Sequence, residues 1–136
     1  MLHLIKLAVG IRDVGHLAAV QPLRTEADGH VRHITRQTPK RDQALLDGGS
    51  LYWVIGGLVL ARQNLAGIER VVRSDGVPAA ALVLNTVLIR TAAQPVRAFQ
   101  GWRYLRPEDA PPDLAATDSP DLPDALRAAL RALALV

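Results

Sequence analysis

The chain has 136 residues, 49% hydrophobic and 21% charged, so it is long and apolar enough to form one globular domain over residues 1–136. It has no cysteine, which excludes disulfides and thiolate metal sites and is typical of a cytoplasmic protein. Residues 30–106 hold eleven basic residues against four acidic ones, whereas residues 107–136 hold two against six. This asymmetry suggests an anionic ligand, or an acidic tail that covers the basic surface.

The first predicted element is a strand from Leu2 to Val9, which ends at Gly10. Its apolar run carries Lys6, lacks a cleavage pattern and is far shorter than the roughly 20 residues that span a bilayer. We therefore expect neither a signal peptide nor contact with a membrane. Asp13 then suits the N-cap of a short helix from Val14 to Gln21.

A basic strand follows, from His30 to Gln37, in which apolar and polar residues alternate. The alternation places Val31, His33 and Thr35 on one face and leaves Arg36 on the other.

The next element is a predicted helix, because Thr38 is a good N-cap, Pro39 suits the first helical position and Lys40 to Leu46 follows. A helix that begins here presents free backbone N–H groups beside Arg36, Lys40 and Arg41. This is the geometry of a phosphate or other anion site, although a capped surface helix explains the pattern equally well.

The first aromatic segment, Leu51 to Ile55, is a predicted strand that ends in a Gly56-Gly57 turn. Leu58 to Val72 fits either a helix or a bent pair of strands, and its position after a tight turn favours strand. Arg62 and Gln63 in this segment could contact a base or a carboxylate, or lie on a solvated face.

The second aromatic segment is a predicted strand from Val96 to Leu105, after a buried strand at Pro78–Leu84 and a break at Ala92–Pro95. If Val96–Leu105 is extended, Gln100, Trp102 and Tyr104 share one face, and Phe99 and Arg103 share the other. Aromatic rings beside amide and guanidinium groups can stack on a nucleobase and hydrogen-bond its edge. The competing interpretation is that the aromatic rings only fill the core.

The end of the chain is a Pro- and Asp-rich surface segment at residues 107–123, followed by a predicted helix at 124–135. The Leu-rich face of that helix could support a homodimer.

Signatures of catalysis are sparse. The four histidines have neither metal-ligand spacing nor an adjacent pair of carboxylates, and no nucleophile elbow is present. We therefore predict no catalytic residue, no metal and no cofactor from these patterns.

Four segments carry a family resemblance: Ile34-Thr-Arg with Thr38-Pro-Lys-Arg41, Leu45 to Ile55, Ala61-Arg-Gln63, and Phe99 to Leu105. Together they resemble the uncharacterised bacterial family called domain of unknown function fourteen-eighty-nine. That resemblance implies no activity. A looser likeness, to the small barrels of the pseudouridine-synthase-and-archaeosine-transglycosylase type, implies RNA or modified-base binding by fold analogy alone.

These observations predict a single α+β domain with peripheral helices and a C-terminal helix. Its sheet is expected to be mixed or mostly antiparallel, and it could curl into a barrel. The expected function is an RNA- or nucleotide-binding module. The alternatives are a small enzyme acting on a nucleotide-like anion and a protein-interaction module. The candidate ligand-binding residues are Arg36, Lys40, Arg41, Tyr52, Trp53, Arg62, Gln63, Gln100, Trp102, Arg103 and Tyr104.

Overall fold

Seven strands form one mixed sheet in the computed structural model, which describes residues 1–114. The strands are β1 (His3–Leu7), β2 (Val31–Thr35), β3 (Ser50–Ile55), β4 (Leu58–Val72), β5 (Pro78–Leu84), β6 (Ile89–Pro95) and β7 (Trp102–Leu105). The helices are α1 (Val14–Val20) and α2 (Asp42–Leu46), with 3₁₀ turns at Gln21–Arg24 and Pro107–Asp109. The α+β prediction is confirmed. The predicted helix 124–135 lies outside the described residues.

The strand order is β2-β5-β4-β3-β1-β7, and β6 pairs with β4 away from this path. The β1–β3 pair is parallel and the other pairs are antiparallel. The sheet does not close into a barrel. Its long member is β4, whose first half pairs with β3 and whose second half pairs with β5, with a register shift between Leu65 and Gly67. Strand was therefore the correct prediction for Leu58–Val72.

Strand β3 is central because both of its faces are covered and all six of its residues are buried. Leu51 and Trp53 pack in one apolar cluster with Leu4, whereas Tyr52 packs in a second cluster with Ile5. A strand buried on both faces is expected to be continuously apolar, and this one is so from Leu51 to Ile55, after the polar Ser50. Its turn into β4 has positive φ at both central glycines, +60° and +83°, which a type I′ hairpin requires.

The start of β1 lies against α2 so closely that only glycine fits at residue 49. A Cβ atom on Gly49 would lie 2.2 Å from the carbonyl oxygens of Leu2 and Leu45. The Leu2 N–H also donates to the Ala44 carbonyl at 3.1 Å. This close approach fixes the position of β1 along its neighbour β3.

Two predicted boundaries are wrong. The helix α2 begins at Asp42 rather than Pro39, because Arg41 has the non-helical dihedrals φ −95° and ψ 48°. The second aromatic strand begins at Trp102 rather than Val96, because Gly101 has a φ of +69° and turns the chain immediately before it. Conversely, Ala92–Pro95 is not a break but the end of β6.

The described part of the Pro- and Asp-rich segment lies along β6. The Ala92 N–H donates to the Pro112 carbonyl at 2.8 Å, and the Leu114 N–H donates to the Arg90 carbonyl at 3.0 Å. The rest of the segment lies beyond the described residues. Within residues 1–114, no helix has the length and apolar character needed to cross a membrane.

A pair of carboxamides is buried inside the first apolar cluster. The Gln21 Nε2 donates to Gln63 Oε1 at 2.7 Å, and the Gln63 Nε2 donates back to Gln21 Oε1. Gln63 also accepts the indole N–H of Trp53 at 2.8 Å and donates to the Asn85 carbonyl at 2.9 Å. Gln63 is fully buried, so each of these partners depends on it for a hydrogen bond that water cannot replace.

We expect the substitution Gln63→Leu to lower the free energy of unfolding by about 3 kcal/mol, because it leaves several buried polar groups unpaired. Urea unfolding followed by tryptophan fluorescence measures this loss. Gln43→Leu is the matched control, because Gln43 is exposed on α2 and its loss should stay within about 0.5 kcal/mol. Equal effects of the two substitutions would contradict the role assigned to the amide pair.

Candidate ligand-binding cleft

Two indole rings flank a lysine on one face of the sheet. Lys6 on β1 is paired in register with Trp53 on β3 and with Trp102 on β7. Residues in register on neighbouring strands point to the same side, so the three side chains form a row. Both tryptophans belong to the first apolar cluster. The two aromatic segments of the sequence therefore meet, with a basic group between them.

On one side of this row an open groove of about 750 Å³ runs between the end of β2 and the start of β7. We call it the outer groove. It is lined by Lys6, Ile34, Thr35, Arg36, Gln37, Gln100, Gly101 and Trp102. It thus brings together three of the residues predicted from sequence, namely Arg36, Gln100 and Trp102.

On the other side lies a smaller space of about 190 Å³, which we call the inner cavity. Lys6 and Ile34 line both spaces, so the two meet there. The inner cavity is lined by Lys6, Leu7, Ala8, Val9, Ile11, Leu17, Gln21, Arg24, Val31, Arg32, His33, Ile34, Trp53 and Leu84. The outer groove and the inner cavity together form the candidate cleft.

Several cations of the cleft are free of counter-ions. The side chains of Lys6, Arg24 and Arg36 make no hydrogen bond or ion pair with any residue of the described part of the chain. Burial lowers the pKa of Lys6. Arg32 differs, because its guanidinium binds the carboxylates of Glu26, Asp28 and Glu69 at 2.6 to 2.8 Å.

His33 is the titratable residue of the inner cavity. Its ring meets the Trp53 ring edge-on, with centroids 5.1 Å apart. Its Nε2 is buried and has no hydrogen-bond partner among residues 1–114. Burial, and then the charges of Lys6 and Arg24, lower the pKa of His33 to about 4. The imidazole is therefore neutral at pH 7.

Side chains from β7 connect it to the segment that follows β2. The Trp102 indole N–H donates to the Gln37 carbonyl at 2.9 Å. The Tyr104 hydroxyl accepts the backbone N–H groups of Lys40 and Arg41 at 3.0 and 3.2 Å. These bonds join the two ends of the strand order, and we call this junction the seam.

The seam alters the predicted anion site at the start of α2. The backbone N–H groups that sequence left free for a phosphate are bound to Tyr104. The Arg41 guanidinium lies 6.0 Å from the centre of the Tyr104 ring. Lys40 lines a different groove from Arg36, together with Arg70. The basic run of the sequence is therefore divided between two places.

Three other predicted residues are buried, although Trp53 also forms part of the wall of the inner cavity. Trp53 is 3% exposed, Tyr52 is 5% exposed and Gln63 is fully buried. Tyr52 packs against the ring edge of His3, with centroids 5.0 Å apart. None of the three presents a face on which a base could stack. The competing interpretation, that aromatic rings fill the core, holds for Tyr52 and Trp53.

Arg62 and Arg103 also have intramolecular partners. The Arg62 guanidinium donates to both carboxylate oxygens of Asp113, at 2.7 and 2.8 Å. It also donates to Ser50 Oγ and Asn64 Oδ1. Arg62 thus ties the Pro-rich segment to β4. The Arg103 guanidinium lies 5.0 Å from the centre of the buried Phe99 ring, on the face of β7 opposite Trp102.

Sequence analysis did not select Lys6, Arg24 or His33 for the site. A signal existed for two of them. Lys6 lies two residues after Leu4 and four after Leu2, and His33 lies two residues after the buried Val31. Strand alternation therefore places both on the same face as core residues. Arg24 gave no such signal. Within residues 1–114, no cluster of three His, Asp or Glu side chains is placed to hold a metal ion.

His33 should make stability depend on pH. The unfolded chain takes up a proton near pH 6.5, whereas the folded chain does so only near pH 4. The free energy of unfolding should therefore fall as the pH drops from about 6.5 to 4, by up to about 3 kcal/mol. Urea titrations at pH 7 and 4.5 measure this loss, which should be smaller in His33→Gln. An NMR titration of the His33 ring with a midpoint near 6.5 would contradict this expectation.

The Arg62–Asp113 pair should contribute to stability. We expect a double-mutant cycle with Arg62→Gln and Asp113→Asn to give a coupling energy of about 1 kcal/mol, the upper end for partly exposed pairs. Arg62 holds the pKa of Asp113 below its usual range, so the coupling should be present at pH 7 and vanish as the pH falls through that pKa. A coupling energy that does not decrease at all as the pH is lowered would contradict the ionic origin.

The family comparison agrees with the sequence motifs. The family model described as "Protein of unknown function (DUF1489)" matches residues 4–136. No curated protein and no solved structure gives a significant match, so the likeness to small RNA-binding barrels stays a prediction. Because the family model covers nearly the whole length, the chain belongs to the DUF1489 family.

Proposed function

We propose that the protein binds RNA or a related nucleotide-like anion in the outer groove. The observation that carries the proposal is the pairing of Lys6 with Trp102, both of which line a groove that also holds Arg36. Lys6 and Arg36 have no counter-ion among the described residues, so both are free to contact phosphate. Phosphate contacts supply most of the affinity of proteins for single strands.

Trp102 is the stacking residue in this proposal. Its ring is partly exposed and packs edge-on against Tyr104, with centroids 5.0 Å apart. The bond from its indole N–H to Gln37 fixes the ring in place before a ligand arrives. A ring held in this way loses little conformational freedom on binding, and stacking contributes about 1–3 kcal/mol per base.

Amide side chains complete the groove. Gln37 and Gln100 line it, and neither side-chain amide makes a hydrogen bond within residues 1–114. An amide can both donate and accept, so it can pair with the edge of a base stacked on Trp102. The proposed groove thus offers cations, a ring and amides to one ligand.

We expect fluorescein-labelled, unstructured single-stranded RNA to bind, with affinity that falls steeply between 50 and 200 mM salt, because phosphate contacts release counter-ions. Fluorescence anisotropy measures the affinity. Lys6→Met and Arg36→Gln should each weaken binding and reduce the slope of log affinity against log salt by about 0.7.

Arg12→Gln is the control, because it removes the same charge from an exposed position that does not line the groove. It should leave the affinity within about twofold of wild type, the change expected from net charge alone. Equal effects of Arg12→Gln and Arg36→Gln would point to non-specific attraction. Absence of RNA binding at 50 mM salt would refute the proposal.

A further inference from the structure

The inner cavity has walls that suit an apolar ligand. Leu17, Val31, Leu84 and Trp53 form much of its lining, and all four belong to the buried core. Its volume of about 190 Å³ is below the range of about 300–1,000 Å³ that holds drug-sized ligands. A space of this size accommodates a molecule of about one ring.

The charges of the cavity are all positive. Lys6 from β1 and Arg24 from the first 3₁₀ turn have no ion-pair partner among residues 1–114. Arg32 also lines the cavity, but Glu26, Asp28 and Glu69 already satisfy its guanidinium. No carboxylate is among the described lining residues, and the three carboxylates that bind Arg32 neutralise that guanidinium, so an anion placed there would be attracted mainly by Lys6 and Arg24.

His33 gives an independent indication that the cavity suits a polar or charged ligand. Its buried Nε2 has no hydrogen-bond partner within the described chain, and buried polar atoms in native proteins are rarely left unpaired. The groups facing it are Lys6 from β1, Arg24 from the 3₁₀ turn and the uncharged ring of Trp53 from β3. A negative charge nearby would offset the two cations.

We propose that the inner cavity is a binding site for a small organic carboxylate with an apolar body, held by Lys6 and Arg24. The apolar walls take the body of the ligand, and the two free cations take its charge. A carboxylate offers one oxygen to each of the two cations, and an organic carboxylate of one ring fits the volume of about 190 Å³. This site meets the outer groove at Lys6, but it does not depend on the function proposed for that groove.

Binding should be linked to protonation of His33. In the free protein, burial and the charges of Lys6 and Arg24 hold the pKa of His33 at about 4. A bound carboxylate counters those charges and raises that pKa, so the complex takes up a proton more readily. Affinity should therefore increase as the pH falls from 7 toward 5.

Benzoate is a suitable probe, with neutral benzamide as its matched control. On titration of the full-length protein, we expect benzoate to give saturable NMR shifts at the Trp53 indole N–H and the His33 ring. Benzamide should bind at least about tenfold more weakly, since it cannot form charge-assisted hydrogen bonds with Lys6 and Arg24.

Variants separate this site from the outer groove. Arg24→Gln should weaken benzoate binding about tenfold, whereas Arg36→Gln should leave it unchanged. His33→Gln should retain binding but lose the increase in affinity between pH 7 and 5. Far-UV circular dichroism confirms that each variant is folded.

Three results would overturn the proposal: no saturable shift with benzoate, equal affinities for benzoate and benzamide, or shifts that map away from Trp53 and His33. None of these results bears on RNA binding, which is measured without benzoate and depends on Arg36. Loss of RNA binding with benzoate binding intact would refute only the function proposed for the outer groove.

Discussion

The buried pair of Gln21 and Gln63 is the interaction on which the cleft depends. It joins the first 3₁₀ turn to β4 and accepts the indole N–H of Trp53. The turn carries Arg24 and the indole forms a wall of the inner cavity, so one amide fixes both a cation and an aromatic surface. Two amides that exchange hydrogen bonds leave few ways to pack around them, which gives this part of the core a defined geometry.

Lys6 is the second constraint, because its stem lies on a face otherwise occupied by core residues. Partial burial of an ammonium group costs free energy, and the lowered pKa of Lys6 expresses that cost. Long cationic side chains reduce it by reaching toward solvent with their charged ends. Lys6 lines both the outer groove and the inner cavity. The partly buried lysine that costs folding free energy therefore also supplies a positive charge to both spaces.

Much of the fold could be predicted from local sequence signals. Asp13 caps α1, and its carboxylate accepts the His16 N–H at 2.7 Å, while the Gly56-Gly57 turn forms as predicted. The candidate site was harder to predict, because hydrogen bonds and ion pairs between residues distant in sequence decide which side chains remain available to a ligand. Strand alternation could have shown that Gln63 faces the core and Arg62 does not. No local sequence pattern predicts that Asp113 forms an ion pair with Arg62, or that the Tyr104 hydroxyl accepts hydrogen bonds from the backbone N–H groups before α2.

The seam has a mechanical consequence. Strands within the sheet are held by backbone ladders, whereas β7 and the segment after β2 are joined through the side chains of Trp102 and Tyr104. Rotation of two aromatic side chains would part this junction and leave every ladder intact. Opening the cleft at this junction therefore requires the loss of three side-chain hydrogen bonds, which costs less free energy than separating two strands.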